Sequence, residues 1–161
     1  FRATDDIHFG TGNSSTAKVS IYNTGEVVKP SQPMFQARNS SGSSITVNTG
    51  VIPFQTIINN VGNNYSNSTY RFTAPVTGYY VFGVKFRAGT GFGQFGGMWT
   101  RNSSTYKRAF GQNSYAQGDC ITAVDVIPMG ANDTMAIRFE GSHGGATGGA
   151  HENGFWGYLL G

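Results

Sequence analysis

The amino-acid sequence predicts an all-β domain, a sandwich of short strands joined by many turns built from Gly, Asn and Ser. Three features of its composition favour this fold. Glycine accounts for 24 of the 161 residues and aromatic residues for 14%, whereas charged residues supply only 12%. Helical proteins are richer in Ala, Leu, Glu and Lys than this chain is, and a disordered chain would lack the 12 Phe and 8 Tyr. No apolar run approaches the roughly 20 residues of a membrane helix.

The first part of the chain is predicted to form a short β-hairpin that leads into the rest. Lys18–Tyr22 alternates polar and apolar residues, Asn23–Gly25 supplies a turn, and Glu26–Lys29 returns. A two-stranded ribbon buries too little surface to be stable alone, so this piece needs the main domain or further copies of itself. We therefore expect a neck over residues 1–33 and a globular head over residues 34–161.

The head is predicted to be a succession of short strands and polar turns. In the clearest strand, 79–87, Tyr80, Phe82, Val84 and Phe86 share one face at a period of two, which indicates a buried face. The other predicted strands cover residues 35–38, 45–47, 51–54, 55–61, 70–73, 120–127, 134–140 and 154–160. Two glycine-rich stretches, Gly89–Gly97 and Gly141–Gly149, are predicted to be loops between strands. The whole pattern is typical of a jelly roll.

The charge balance excludes a nucleic-acid-binding surface. The net charge is only +3 and is spread along the chain, and the nearest approach to a basic cluster, Arg101, Lys107 and Arg108, is predicted to be a solvated loop. Cys120 is the only cysteine, which excludes an internal disulfide and a cysteine-rich metal site. We expect this side chain to act as a small buried hydrophobe.

Seven residues at fixed spacing carry a family resemblance: Phe54, Asn60, Tyr65, Phe72, Gly78, Tyr80 and Phe82. They resemble the signature of the complement component 1q globular-head family, a branch of the tumour-necrosis-factor-like jelly rolls. Phe35–Arg38, Gly130–Ile137 and Phe155–Leu160 extend the resemblance over residues 34–161. The sequence departs from the pattern where Val84 replaces an aromatic residue and Asn132 displaces Asp133.

The resemblance implies a compact homotrimer, in which each subunit is a jelly-roll β-sandwich of about ten strands, and a structural role for the matched residues. Aromatic side chains would fill the space between the two sheets, and the glycine would permit the turn before its strand. The predicted core residues are Phe54, Phe72, Gly78, Tyr80, Phe82, Phe155 and Tyr158. Apolar outer faces, such as that of Tyr79 and Val81, would be covered by sister subunits.

Catalysis and metal binding find little support in the sequence. The sequence contains no Gly-x-Ser-x-Gly elbow, no carboxylate pair with the spacing of a retaining or inverting glycosidase, and no phosphate-binding glycine motif followed by a helix. We predict that the protein is not an enzyme. The resemblance makes calcium a possible ion, with Asp119, Asp125 and Asp133 as weak candidate ligands. His143 and His151, with Glu140 and Glu152 beside them, could hold a transition metal, although a solvated loop is the simpler interpretation.

Ligand recognition is the function that the sequence favours. Aromatic side chains stack on sugar rings, and Arg or Lys meets carboxylates or phosphates. The candidate contact residues are Phe92, Phe95, Trp99, Arg101, Tyr106, Lys107, Arg108, His143 and His151. Trp99 could equally well lie in the core, because Met98 and Trp99 could begin a strand.

The expected role is a trimeric receptor-binding head at the tip of a viral or phage fibre. Residues 7–35 resemble the β-hairpin necks of such fibres, and no Gly-X-Y repeat occurs there. The partner would be a host-surface receptor or glycan, and the location the virion or the extracellular space, with no membrane insertion. The alternative is a secreted cellular pattern-recognition or adhesion module with the same fold.

Overall fold

The computed structural model describes residues 5–12, 17–40, 45–46, 50–89, 94–141, 145–146 and 152–161. The chain divides into two compact units, Phe1–Gln32 and Pro33–Gly161, which we call the neck and the head. The neck holds three antiparallel strands in the spatial order of the chain, β1 (Ile7–Phe9), β2 (Val19–Ile21) and β3 (Val27–Val28). In the described part of the chain, no helix has the length and apolar character that a bilayer crossing requires.

The described part of the head is all β. Its strands are β4 (Met34–Arg38), β5 (Ile45–Thr46), β6 (Thr56–Val61), β7 (Tyr65–Ser66), β8 (Arg71–Thr73), β9 (Gly78–Arg87), β10 (Gln94–Arg101), β11 (Ser104–Ser114), β12 (Cys120–Met129), β13 (Thr134–Gly141), β14 (Gly145–Ala146) and β15 (Gly154–Leu159). Sheet I has the order β12-β9-β15-β4-β6, and sheet II the order β11-β10-β13-β8-β7. The described pairs within both sheets are antiparallel, and β5 pairs with β14. Two five-stranded sheets confirm the predicted jelly roll.

The core between the two sheets is a cluster of aromatic side chains. Phe82 and Phe155 from sheet I meet Phe72 and Trp99 from sheet II, with ring centroids 5.6 Å apart for Phe72 and Phe82 and 6.2 Å for Trp99 and Phe155. All four side chains are fully buried. Burial of the other predicted core aromatics, Phe54 and Tyr80, is also complete. The period-two face of β9 is thus confirmed as the core face.

The signature residues Asn60 and Tyr65 tie the turn between β6 and β7 to the core. The Asn60 side chain donates to the carbonyl of Tyr65 (2.8 Å) and accepts from its N–H (3.0 Å). The Tyr65 hydroxyl donates to the carbonyl of Phe54 at 2.9 Å. Because these backbone groups have little access to water, the side chains satisfy them. Burial raises the pKa of the Tyr65 phenol above its ordinary value, and Tyr70 adds to the effect.

Replacing Tyr65 with phenylalanine should lower the stability of the head by about 1 kcal/mol at neutral pH, because the Phe54 carbonyl loses its partner. The same change should make the alkaline loss of stability shallower. The unfolded chain releases the tyrosine proton near pH ~10 while the folded chain retains it, so stability falls as the pH rises above that value. Urea unfolding at neutral and alkaline pH measures both effects. The stability of the Tyr65→Phe variant should still fall somewhat at alkaline pH, because burial also raises the pKa of Tyr80.

Tyr106→Phe is the matched control, because the ring of Tyr106 is 37% exposed. This variant should unfold like the parent at neutral pH. If the stability of Tyr65→Phe fell with rising alkaline pH as steeply as that of the parent, the result would contradict the burial of the Tyr65 phenol.

Several predicted placements were wrong. The first glycine-rich stretch was predicted to be a loop as far as Gly97, but Gln94–Arg101 is a strand. The second stretch was also predicted to be a loop, but Gly145–Ala146 within it pairs with Ile45–Thr46. Tyr158 is 41% exposed and does not lie in the core. Side chains alternate along β15, so Tyr158 lies on the outward face of the sheet and Phe155 on the buried face. Cys120 is exposed, with its Sγ 3.9 Å from the Gly118 carbonyl.

Gly78 is required by close packing and not by the turn that precedes it. It lies at the start of β9, beside the chain terminus. A Cβ atom at this position would come within 2.9 Å of Leu159 Cδ1 and 3.1 Å of the Gly161 carbonyl oxygen. The glycine therefore lets the last residues of the chain lie against β9.

Candidate functional site

The outward face of sheet I carries a row of apolar side chains that crosses all five strands. The strand register joins Val126 to Val81, Val81 to Tyr158, Tyr158 to Met34, and Met34 to Val61. Directly opposed residues share a face of a sheet, so these side chains form one continuous line. Within it, Val126 is 51% exposed, and Tyr158 and Met34 are also exposed. A strand face that meets only water normally carries polar residues instead.

Two further rows extend this apolar character to either side. Pro128 lies opposite Tyr79, and the backbone N–H of Leu160 donates to the Tyr79 carbonyl at 2.8 Å. On the other side, Val124 lies opposite Gly83, which lies opposite Trp156. Together the three rows define the apolar face: Met34, Val61, Tyr79, Val81, Val124, Val126, Pro128, Trp156, Tyr158 and Leu160.

Gly83 leaves room for the indole of Trp156, because it has no side chain. A Cβ atom at Gly83 would lie 2.1 Å from Trp156 Cε2, which is inside van der Waals contact. The ring therefore occupies the space beside the backbone of Gly83 in β9. Trp156 marks the border of the apolar face, because the next residues in its row are Gln36 and Asn59.

The opposite end of the same sheet face is basic. Lys85 and Arg38 both lie opposite Gly154, one on each side, so a residue without a side chain separates two cations. This gap belongs to a cavity of about 350 Å³. The cavity is lined by Gln36, Ala37, Arg38, Ile58, Lys85, Asn153, Gly154 and Trp156. We call it the basic pocket.

The chemistry of the basic pocket suits an anionic ring compound. Two cations face it, and none of its lining residues is acidic. The nearby Glu152 carboxylate pairs with Arg87. Guanidinium and ammonium groups bind carboxylates and phosphates, amides bind hydroxyls, and the indole of Trp156 offers a surface for stacking.

Trp99, predicted as a candidate ligand contact, instead helps to join the two sheets. It lies on β10 with its side chain fully buried, and its Nε1–H donates to Asp125 Oδ2 at 3.2 Å. Lys107 Nζ lies 2.6 Å from Asp125 Oδ1. Asp125 is on β12, the edge strand of sheet I, whereas Trp99 and Lys107 are on β10 and β11 of sheet II. This network therefore links the two sheets at that edge. Trp99 therefore cannot stack on a ligand.

The other described basic candidates also contact groups within the head. Arg101 lies over the ring of Tyr106 at 4.4 Å and donates to the Pro128 carbonyl at 3.2 Å, and Arg108 pairs with Glu140 at 2.6 Å. These residues lie on the β10–β11 hairpin, whose turn has positive φ at Asn102 (49°) and Ser103 (69°). The predicted solvated loop is thus a tight hairpin with internally paired charges.

Three of the remaining candidates, Phe92, His143 and His151, lie outside the described residues. The backbone of Phe95 belongs to β10. The role of these four residues stays a prediction.

The three carboxylates predicted as weak metal ligands are used separately. Asp119 accepts from the Ala116 N–H at 2.8 Å, and Asp125 belongs to the edge network above. Hydrogen bonds from Asn102 and Gly130 hold the pKa of Asp133 below its ordinary value. Among the described residues, no group of three or more His, Cys, Asp or Glu side chains gathers around a possible metal position.

Comparison with known proteins identifies the family. The family model for the C1q domain matches residues 34–160. This chain belongs to the C1q domain family. Domains of this family and of the related tumour-necrosis-factor fold are typically extracellular binding modules that assemble as trimers. No curated protein sequence matches the chain.

Solved structures share the fold of this C1q domain at low sequence identity. The globular domain of zebrafish complement 1qA protein matches with a TM-score of 0.58 and 16% identity, covering 80% of this chain and 97% of that one. The crystal structure of murine APRIL at pH 8.5 matches with a TM-score of 0.59 and 11% identity, covering 80% and 99% of the two chains. At these identities the likeness concerns the fold alone.

Proposed function

We propose that this C1q domain is a non-enzymatic binding head that assembles as a homotrimer through the apolar face of sheet I. The observation that carries the proposal is the uncovered apolar surface, in which Tyr79, Val124 and Leu160 are each more than half exposed in the single chain. Soluble monomers rarely expose so many adjoining apolar side chains. The typical assembly of the family makes three copies the expected number.

The recognition step falls to the basic pocket at the other end of the same sheet. Its two cations, amides and indole favour a ligand that combines a sugar ring with a carboxylate or phosphate. The residues first predicted to contact a ligand, Arg101, Lys107 and Arg108, have partners inside the head. Their contact with a ligand stays a prediction, and we propose Lys85 and Arg38 as ligand contacts because both line the basic pocket.

We further propose that the head lies at the tip of a viral or phage fibre and recognises a host-surface glycan. The support is the separate β-structured neck, which precedes the head in the chain where other members carry collagen-like repeats. The gene sequence upstream tests this assignment. A long β-rich fibre would support it, whereas a signal peptide or collagen repeats would indicate the secreted cellular module instead.

Two measurements test the proposed function. Sedimentation velocity at micromolar concentration should give the mass of three chains. A glycan screen should yield acidic ligands that bind and are recovered unchanged. A single-chain mass contradicts the assembly, and turnover of the bound glycan contradicts the non-enzymatic role.

Lys85→Gln and Arg38→Gln should each weaken binding of an acidic glycan by about tenfold or more, since a charge-assisted hydrogen bond contributes roughly 1.5–3 kcal/mol. Isothermal titration measures the affinity. Lys29→Gln is the matched control, because it removes an equal charge from an exposed position in the neck, and its affinity should equal that of the parent. Equal binding of neutral and acidic glycans, or unchanged affinity in the pocket variants, would contradict the proposed ligand site.

A further inference from the structure

One face of the neck sheet consists only of apolar side chains. The register pairs Ile7 with Ile21, Phe9 with Val19, and Ile21 with Val27. Paired residues share a face of the sheet, so these five residues line one side, which we call the apolar neck face. They carry no charge and no hydrogen-bonding group.

The opposite face of the neck sheet is more polar. His8 pairs with Ser20, which pairs with Val28. The Nδ1 atom of His8 lies 2.9 Å from the Ser20 hydroxyl. The two faces of the neck therefore differ in chemistry, although Val27 and Val28 are adjacent in sequence.

The described residues of the neck leave the apolar neck face partly exposed. Phe9 is 55% exposed and Val27 is 60% exposed. Among the described residues 5–12 and 17–32, no apolar side chain is buried; the one buried residue is Ser20. A small sheet whose hydrophobic face remains in water is not independently stable. The neck thus needs an apolar surface beyond its own three strands.

We infer that the apolar neck faces of the three chains in one assembly pack against one another. This inference rests on the trimer of the proposed function. Three heads held together keep their necks at an effective concentration in the millimolar range, so a small apolar surface suffices to associate them. Around a threefold axis the three copies turn the same uncharged side chains towards the axis, so no like charges meet at the contact.

Cysteine cross-linking tests the inference in the intact chain. Both variants are made in a Cys120→Ser background, because the exposed Cys120 thiol would otherwise react. Val27→Cys places a thiol on the apolar neck face. Val28→Cys is the matched control, since it places a thiol one residue away on the opposite face of the same strand, at a position that is also exposed (40%). A short bis-maleimide then joins any thiols that lie close together.

We expect Val27→Cys to yield chains linked in pairs, at least five-fold more than Val28→Cys, in protein that sediments as three chains. Mass spectrometry confirms that both thiols have reacted. Equal linkage of the two variants in an intact trimer would overturn the neck inference and leave the proposed function standing. A single-chain mass before cross-linking would overturn both.

Discussion

Replacing Phe82 with alanine should lower the free energy of unfolding of the head by about 3–5 kcal/mol. Phe82 is fully buried at the centre of the core. Its ring lies within 6.4 Å, centroid to centroid, of the rings of Phe35, Phe72, Tyr80, Trp99 and Phe155. The smaller side chain would leave a cavity between the two sheets. Strand pairing keeps each sheet from bending into the cavity, and the surrounding rings cannot fill it without leaving their own contacts.

Denaturation in guanidinium chloride measures this loss, at equal chain concentration for parent and variant because assembly contributes to apparent stability. Tyr22→Ala is the control. It deletes an aromatic ring from a neck position that is 39% exposed and lies outside the apolar neck face, and the unfolding of the head should change by less than about 0.5 kcal/mol. A near-neutral Phe82→Ala would mean that the period-two face of β9 is not the core face.

Placing a carboxylate in the apolar face should convert the trimer into single chains. Val126 lies in the row that crosses all five strands of sheet I and is 51% exposed in the single chain. The substitution Val126→Asp therefore leaves the folded chain largely undisturbed. In the assembly each new carboxylate would be desolvated without a partner, which costs several kcal/mol. The association constant should fall at least roughly hundredfold.

Thr122→Asp provides the matched control for this experiment. It introduces the same charge on the same strand and the same face, at the polar end of the sheet, where Thr122 lies opposite Lys85. Sedimentation velocity should give three chains for this control and one chain for Val126→Asp, with matching circular dichroism spectra. A trimeric Val126→Asp would mean that another surface joins the copies.

The strands that the sequence predicted well are those whose pattern is local. In β9 the alternation of Tyr80, Phe82, Val84 and Phe86 marks the buried face without reference to the rest of the chain. The hairpin that connects β2 and β3 has its turn residues, Asn23–Gly25, in the predicted place. These features depend on neighbouring residues, so the primary structure displays them directly.

The strand β10 was not predicted, because its glycines were interpreted as loop residues. In the structure, a Cβ atom at Gly97 would come within 2.1 Å of Phe110 Cε1 on the neighbouring strand β11. Glycine within a strand can mark such a close approach of a neighbouring group. The identity of that group is a tertiary fact, and sequence pattern cannot separate the two uses of glycine.

The candidate site was predicted only in part for a similar reason. The ion pair of Lys107 with Asp125 joins residues far apart in sequence, so the internal use of this cation was not visible beforehand. The basic pocket combines Arg38, Lys85 and Trp156 from three strands. The sequence did contain one signal of the apolar face. β12 and β15 have apolar residues at outward positions, such as Val124 and Tyr158, where a strand that faces only water normally has polar residues.

The primary structure by itself determined the all-β class, the jelly-roll family and the buried face of β9, because strand alternation and turn chemistry are properties of adjacent residues. Only the tertiary structure decided which surfaces remain for function. Strand register sets five separate segments side by side and so creates the apolar face at one end of sheet I and the basic pocket at the other. Register arises from the packing of the whole core, and no single segment encodes it.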